Sequence, residues 1–159
     1  MAVRIVASGF NEAAAVIARI ASPNVPQFLD ELGGLVTSQT QRRIRSEKTS
    51  PAGEAWKANA EGTSTLFQSG ALDDSIHHEV GGAEVEVGSN LIYAGIHQFG
   101  GDIIPKSKNA LAFSVGGDFV LAKKVTMPPR PYVGISAANA VEIVSFTEGF
   151  ILRSADDAR

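Results

Sequence analysis

The spacing of apolar residues changes repeatedly along the chain, and each change predicts a different element. Residues 2–7 read as a short strand that stops at Ser8-Gly9. The alanine-rich run 12–21, with Val16, Ile17 and Ile20, predicts a helix with Asn11 as its N-cap. Ser22-Pro23-Asn24-Val25-Pro26 breaks that helix, and Pro26 suits the first turn of a second one over residues 27–46. There Leu29, Leu32, Val36 and Ile44 form an apolar stripe, which leaves Gln39, Gln41, Arg42 and Arg45 to face water. Gly33-Gly34 interrupts this helix at a cost of about 1 kcal/mol per glycine relative to alanine, which points to a close helix crossing or a kink.

Residues 47–64 are polar and loop-like around Trp56, whose large ring in such a stretch is expected to plug the edge of the core. A short helix is expected over residues 65–75, with Leu66, Phe67 and Leu72 inward and an interruption at Ser69-Gly70. The period then drops to two. Ile76, His78 and Val80 alternate on one strand, Val85 and Val87 on the next, and Gly81-Gly82 supplies the hairpin turn. Residues 91–99 predict a short buried helix ending at Gly100-Gly101. A second hairpin comes next, residues 110–115 and 119–125 about a turn at Gly116-Gly117-Asp118, entered through a polar, mobile loop over residues 105–109. Met127-Pro128-Pro129-Arg130-Pro131 must be extended, because its prolines forbid helix and central strand. A last helix over residues 136–153 carries Val141, Val144, Phe146, Phe150 and Ile151. These elements predict one α+β domain over residues 1–153 with a polar tail at 154–159. Its mainly antiparallel sheet has two hairpins, packed by N-terminal helices and a C-terminal helix.

Composition narrows the function. With 44% apolar and 19% charged residues in 159, the chain can fold around a core. Its net charge of −3 gives no general attraction to nucleic acid or anionic membrane. Zero cysteines exclude disulfides and thiolate zinc sites, which suits a reducing cytoplasm. No apolar run approaches the ~20 residues a bilayer requires, and the amino end lacks a signal arrangement, so a soluble, unexported protein is expected. The charges, however, are segregated. Glu54, Glu61, Asp73, Asp74, Glu79, Glu84 and Glu86 face only Lys57 in the middle of the chain. Lys106, Lys108, Lys123, Lys124 and Arg130 outnumber Asp102 and Asp118 after it. Either these are two solvated faces, or the acidic surface of one subunit meets the basic surface of the next.

Chemistry is sparse. His77 and His78 are adjacent in a strand, so they point to opposite faces and make no metal site together. The Gly-Gly pairs lack phosphate-loop spacing, and Ser114-Val115-Gly116 is a strand end without a nucleophile elbow. Asp73-Asp74 reads as the cap or end of a helix. Arg42, Arg43 and Arg45 could touch phosphate, but no aromatic platform accompanies them. No cofactor, no metal and no enzymatic activity are expected. The competing readings are a small hydrolase using His97 with a carboxylate, and a DNA-binding module.

Four elements are specific. They are Pro51-Ala52-Gly53-Glu54-Ala55-Trp56; Leu66-Phe67-Gln68-Ser69-Gly70-Ala71-Leu72-Asp73-Asp74-Ser75-Ile76; Val87-Gly88-Ser89-Asn90 leading to Tyr93-Ala94-Gly95-Ile96-His97-Gln98-Phe99-Gly100-Gly101; and Met127-Pro128-Pro129-Arg130-Pro131-Tyr132-Val133-Gly134-Ile135-Ser136. In that order they resemble the phage virion morphogenesis family, a tail-completion group of Mu-like and P2-like contractile-tailed phages and prophages. The resemblance covers about residues 27–151, and departs from the family in a shortened link between Trp56 and Leu66, where relatives carry a lysine-rich insert. It implies a structural protein added late in tail assembly, as tail terminator, neck subunit or assembly factor, capping the tube and preparing it to join the head. It would reside in the tail or neck of the virion, assembled in the host cytoplasm. Its expected partners are copies of itself, in a homo-oligomeric ring that is sixfold to match a tail tube, and tail-tube, sheath, neck or connector proteins. No membrane is implied, and nucleic acid only as DNA passing through the lumen.

The residues expected to carry interface or structural roles are Trp56, Gly70, Leu72, Tyr93, His97, Gln98, Phe99, Gly100, Gly101 and Pro131, with the lysines of the second hairpin (Lys106, Lys108, Lys123 and Lys124) and Arg130. Tyr93, His97 and Phe99 are large rings beside glycines that permit close backbone approach. Arg130, held between prolines, offers its guanidinium to a carboxylate or carbonyl at low entropic cost. Whether His97, Gln98 and Arg130 satisfy polar groups within one subunit or between subunits is open from the residues alone.

Overall fold

The computed structural model describes residues 3–6, 24–106 and 108–156; the helix expected over 12–21 lies outside them. Strand β1 (Val3–Val6) is the first described element, and helix α1 (Val25–Arg42) the next. The side chain of Asn24 caps α1 by accepting from Gln27 N at 3.2 Å, and proline occupies its first turn. Phe28, Leu29, Leu32 and Val36 are buried along one face, as their spacing predicts. The helix does not stop at Arg42. It widens into a π turn (Arg43–Glu47) that Lys48 ends in the left-handed conformation, φ 55°. Gln39 was expected to face water, yet it is only 1% exposed. A second helix covers that flank of α1, and Gln39 Nε2 donates to Asn139 O at 3.3 Å and Glu142 Oε2 at 2.9 Å.

Strands β2 (Ile76–Gly81) and β3 (Glu84–Ser89) form a hairpin, and β1 pairs with the far side of β3, giving an antiparallel sheet ordered β1-β3-β2. Its buried face presents Ile76, Val85 and Val87 to α1. Gly33 explains how close the helix lies: a Cβ there would sit 2.7 Å from Val85 Cγ2 and 2.6 Å from His78 Cγ. The glycine pair therefore marks a helix pressed onto a sheet, where the sequence suggested a helix crossing or kink. The helix expected over 65–75 is likewise reduced to one turn, α2 (Ala71–Asp74). Leu66 and Gly70 adopt φ of 59° and 80°, and left-handed residues cannot propagate a right-handed helix.

After helix α3 (Ala94–Phe99) the chain builds a nested arm. Strand β4 (Gly101–Ile103) pairs with β7 (Val125–Met127) at its base, and β5 (Leu111–Val115) pairs with β6 (Asp118–Ala122) beyond it. The expected strand 119–125 is thus two strands with different partners, because the ladder shifts from β5 to β4 at Lys123-Lys124. Gly116 and Gly117, both at positive φ, make the two-residue turn. Helix α4 (Ala137–Asp156) closes the described chain, extending past the predicted end at 153. Ser136 and Asn139 cap it reciprocally, each side chain accepting from the other's backbone N–H. Ile143 and Phe150 point inward, whereas Val141 and Val144 are 67% and 56% exposed. The fold is α+β, and each described strand pairs antiparallel. Its core joins α1, the three-stranded sheet, Tyr132-Val133 and α4, where Phe28 meets Phe150 edge-on at 5.1 Å. No described helix is long and apolar enough to cross a membrane.

Candidate interaction site

Proline-rich segments cannot satisfy their own backbone, and here other elements do it for them. Gln98 is the central device. Its Oε1 accepts from Tyr132 N at 2.9 Å and Val133 N at 3.1 Å, while its Nε2 donates to Val133 O at 3.2 Å. Trp56 Nε1 donates to Pro131 O at 3.0 Å, and the half-buried ring packs against the core as expected. Arg43 donates to Tyr132 O and Gly134 O, both at 2.9 Å, and to the side chain of Asn139. Tyr132 is fully enclosed; its hydroxyl donates to Ala94 O at 3.1 Å, and burial holds its pKa above the ordinary tyrosine range.

Two glycines let these segments touch. Gly100, at φ 68°, would place a Cβ 2.8 Å from Met127 O and 2.7 Å from Pro129 N. Gly134, at φ 146°, would place one 2.6 Å from Pro51 Cγ. Three of the four specific sequence elements, 51–56, 87–101 and 127–136, are therefore neighbours in space, and the fourth, 66–76, joins the third through Ser75 Oγ and Ser89 Oγ at 2.7 Å.

Arg130 brings a second guanidinium after that of Arg43. It is 4% exposed; its Nε donates to Lys57 O at 2.8 Å and its Nη2 to Ala58 O at 3.2 Å. Its backbone N–H donates to His97 O at 2.8 Å. Burial lowers its pKa, and its acceptors are carbonyls of the same chain. Beside it opens a surface cleft of about 390 Å³, lined by Leu66, Phe67, Gly70, Tyr93, His97 and Arg130 among others. Tyr93 meets His97 edge-on at 5.8 Å. The Nδ1 of His97 is enclosed without a hydrogen-bond partner among the described residues. Burial first, and Arg130 second, push its pKa below the ordinary histidine value, so the ring is held neutral. Leu72 is buried under the cleft floor, and Gly70 supplies the left-handed residue ahead of α2.

The remaining expected residues lie elsewhere. Phe99 is 68% exposed at the end of α3, and Gly101 begins β4. Lys106, Lys108, Lys123 and Lys124 are exposed on the arm. Lys124 pairs with Asp102 at 3.0 Å, and Thr126 donates to the same carboxylate at 2.6 Å; Thr126 first and Lys124 second hold the pKa of Asp102 below the ordinary value.

Each member of the arginine trio has partners within the chain. Arg42 pairs with Glu47 at 2.9 Å and Glu142 at 2.7 Å, Arg43 is wholly buried, and Arg45 pairs with buried Asp73 at 2.6 Å. All three are used inside the chain. Asp73 is accordingly an ion-pair partner, beyond the helix-ending role its position suggested. Arg43, noted in the sequence only as a possible phosphate contact, and Asn139, which nothing singled out, prove as central to the tie as Gln98.

A model of the phage virion morphogenesis family matches residues 6–150. No curated protein and no solved structure matches the chain.

Proposed function

Because the chain belongs to the phage virion morphogenesis family, we propose that it is a structural tail-completion subunit, a tail terminator or neck component that caps the tail tube and enables head–tail joining. It acts by binding copies of itself and its virion neighbours, with no bond made or broken. One observation carries this reading: among the described residues the arm of β4 to β7 contributes nothing to the core yet exposes apolar side chains, Phe119 at 72% and Leu121 at 65%, beside exposed lysines. Such a projection suits a subunit whose work is contact. The polar chemistry around the four specific elements is consistent with it, since Gln98, Trp56, Arg130 and, from the end of helix α1, Arg43 hold backbone carbonyls. His97, the residue a hydrolase would use, hydrogen-bonds no carboxylate among the described residues.

The closed head-to-tail arrangement that fits a tail tube is a ring, and a sixfold one matches the tube. Light scattering on the purified chain, alone and mixed with tube protein, should report an oligomer, with rings in negative stain. A strict monomer in both conditions would remove the proposal. Mass spectrometry of purified particles should find the chain in tails or necks; its absence there, with tail assembly still dependent on it, would make it an assembly factor that leaves before completion.

A further inference from the structure

The β5–β6 ribbon is an unfinished sheet. Its two strands pair only with each other, so both outer edges offer unused backbone donors and acceptors among the described residues. A two-stranded hairpin is at best marginally stable in water by itself. This one has apolar residues on both faces, and Phe119 and Leu121 of β6 are the most exposed of them. Around its base stand Lys106, Lys108 and Lys123, none with a salt-bridge partner among the described residues.

A complementary surface lies on the same chain. Strand β2 is an edge strand, paired on one side only among the described residues. The end of the β2–β3 hairpin forms a hollow of about 240 Å³ lined by Glu79, Val80, Gly81, Glu84 and Glu86. Val80 is 39% exposed within it. Register places Glu79 directly opposite Glu86, and His77 Nε2 lies 3.6 Å from the Glu79 carboxylate on the same strand. The acidic edge and the apolar strand with lysines at its base have similar lengths, six residues in β2 and five in β6, whose far end carries Asp118. They project from different elements, so a copy can give one and receive the other.

We propose that the β6 edge of one copy adds to the β2 edge of the next, making an intersubunit ladder. Phe119 and Leu121 cover Val80, and Lys108 and Lys123 face Glu79 and Glu84. The contact is heterologous, which is the type that closes into rings, and the proposal rests on the ring reading of the protein's function.

Charge reversal tests it on the full chain. One variant carries Glu79→Lys and Glu84→Lys, so its hollow repels its own ribbon. A second carries Lys108→Glu and Lys123→Glu, so its ribbon repels its own hollow. Each, shown folded by circular dichroism, should run in light scattering as a single subunit where the unaltered chain forms a ring. Mixed in equal amounts they should reassemble by alternating, since each variant's ribbon then meets an oppositely charged hollow on the other. A ring from either variant alone, or no association on mixing, would overturn this contact while leaving the ring reading in place. An unaltered chain that never assembles would take both down. Salt supplies a readout without substitutions: the unaltered ring should loosen as ionic strength rises, and indifference to salt would count against charged edges holding it.

Discussion

Arg43 brings a charge into a place where water cannot follow, and what it meets there is a set of orphan acceptors. Tyr132 O and Gly134 O would lose this donor without it, the Asn139 side chain would keep only Ser136 N, and Glu47 lies 3.9 Å from its Nε. Burial lowers its pKa, which records the cost of enclosing the cation. Leaving the two carbonyls without a donor costs roughly 2–6 kcal/mol, about 1–3 for each acceptor that stays desolvated and unpaired. Arg43→Met should therefore lower unfolding stability in urea by about that amount, and Arg43→Lys should recover little, since a single ammonium cannot reach three acceptors in a fork. An unchanged midpoint in the methionine variant would show that the 132–134 segment is held by Gln98 and Trp56 alone. The burial of this residue was legible in the sequence. The stripe Leu29, Leu32, Val36 extends by helical spacing through residues 39–40 to position 43, so Arg43 falls on the buried face. The charge of the side chain concealed it, because an arginine is read as solvated unless its acceptors are known, and these lie about 90 residues further along the chain.

At the scale of elements, α1 carries two adjacent glycines that look equivalent in sequence and are opposite in structure. Gly33 faces the sheet, where any side chain would collide with His78 and Val85, whereas nothing lies within 4 Å of a Cβ at Gly34. Gly34→Ala should then stabilise the protein by about 0.5–1 kcal/mol through helix propensity alone. Gly33→Ala gains the same propensity but must push the helix off the sheet, so it should destabilise by about 1–3 kcal/mol net. Paired thermal melts decide it: the two midpoints should move in opposite directions, and two shifts of the same sign would mean that the helix stands further from β2 and β3. The period of each element was readable, hence the recovery of α1, β2, β3, α3 and α4. Partner choice was not. Nothing local to residues 119–125 says that Phe119 pairs toward β5 and Val125 toward β4, and nothing local to 65–70 says that Leu66 turns left-handed. Those outcomes are set by non-local pairing and by a loop folded over Lys48, whose Nζ donates to Thr65 O at 2.7 Å.

The molecule as a whole divides its apolar residues unequally. Helix α1, the three-stranded sheet, the Tyr132-Val133 segment and α4 share one core, and among the described residues none of β4 to β7 belongs to it. Three of the four sequence elements sit at the seam, so their polar side chains fix where the arm leaves the body: Gly100 against Met127 and Pro129 sets the angle at its root, and Asp102 with Lys124 and Thr126 closes its base. If the arm beyond that base serves contact between molecules, stability and assembly should be separable. Residues 111–122 begin and end as a paired couple, Leu111 opposite Ala122, so a Gly-Gly link can replace them without stretching the chain. The shortened protein should unfold within about 1 kcal/mol of the full chain, the scale of changes made away from a core. It should also fail to form the oligomer and to complete tails. A large loss of stability would instead make the ribbon part of the fold, and normal assembly without it would move the contact surface to another face. A sound body that no longer associates is the behaviour expected of a chain that keeps a marginal hairpin outside its own core and leaves a neighbour to finish burying it.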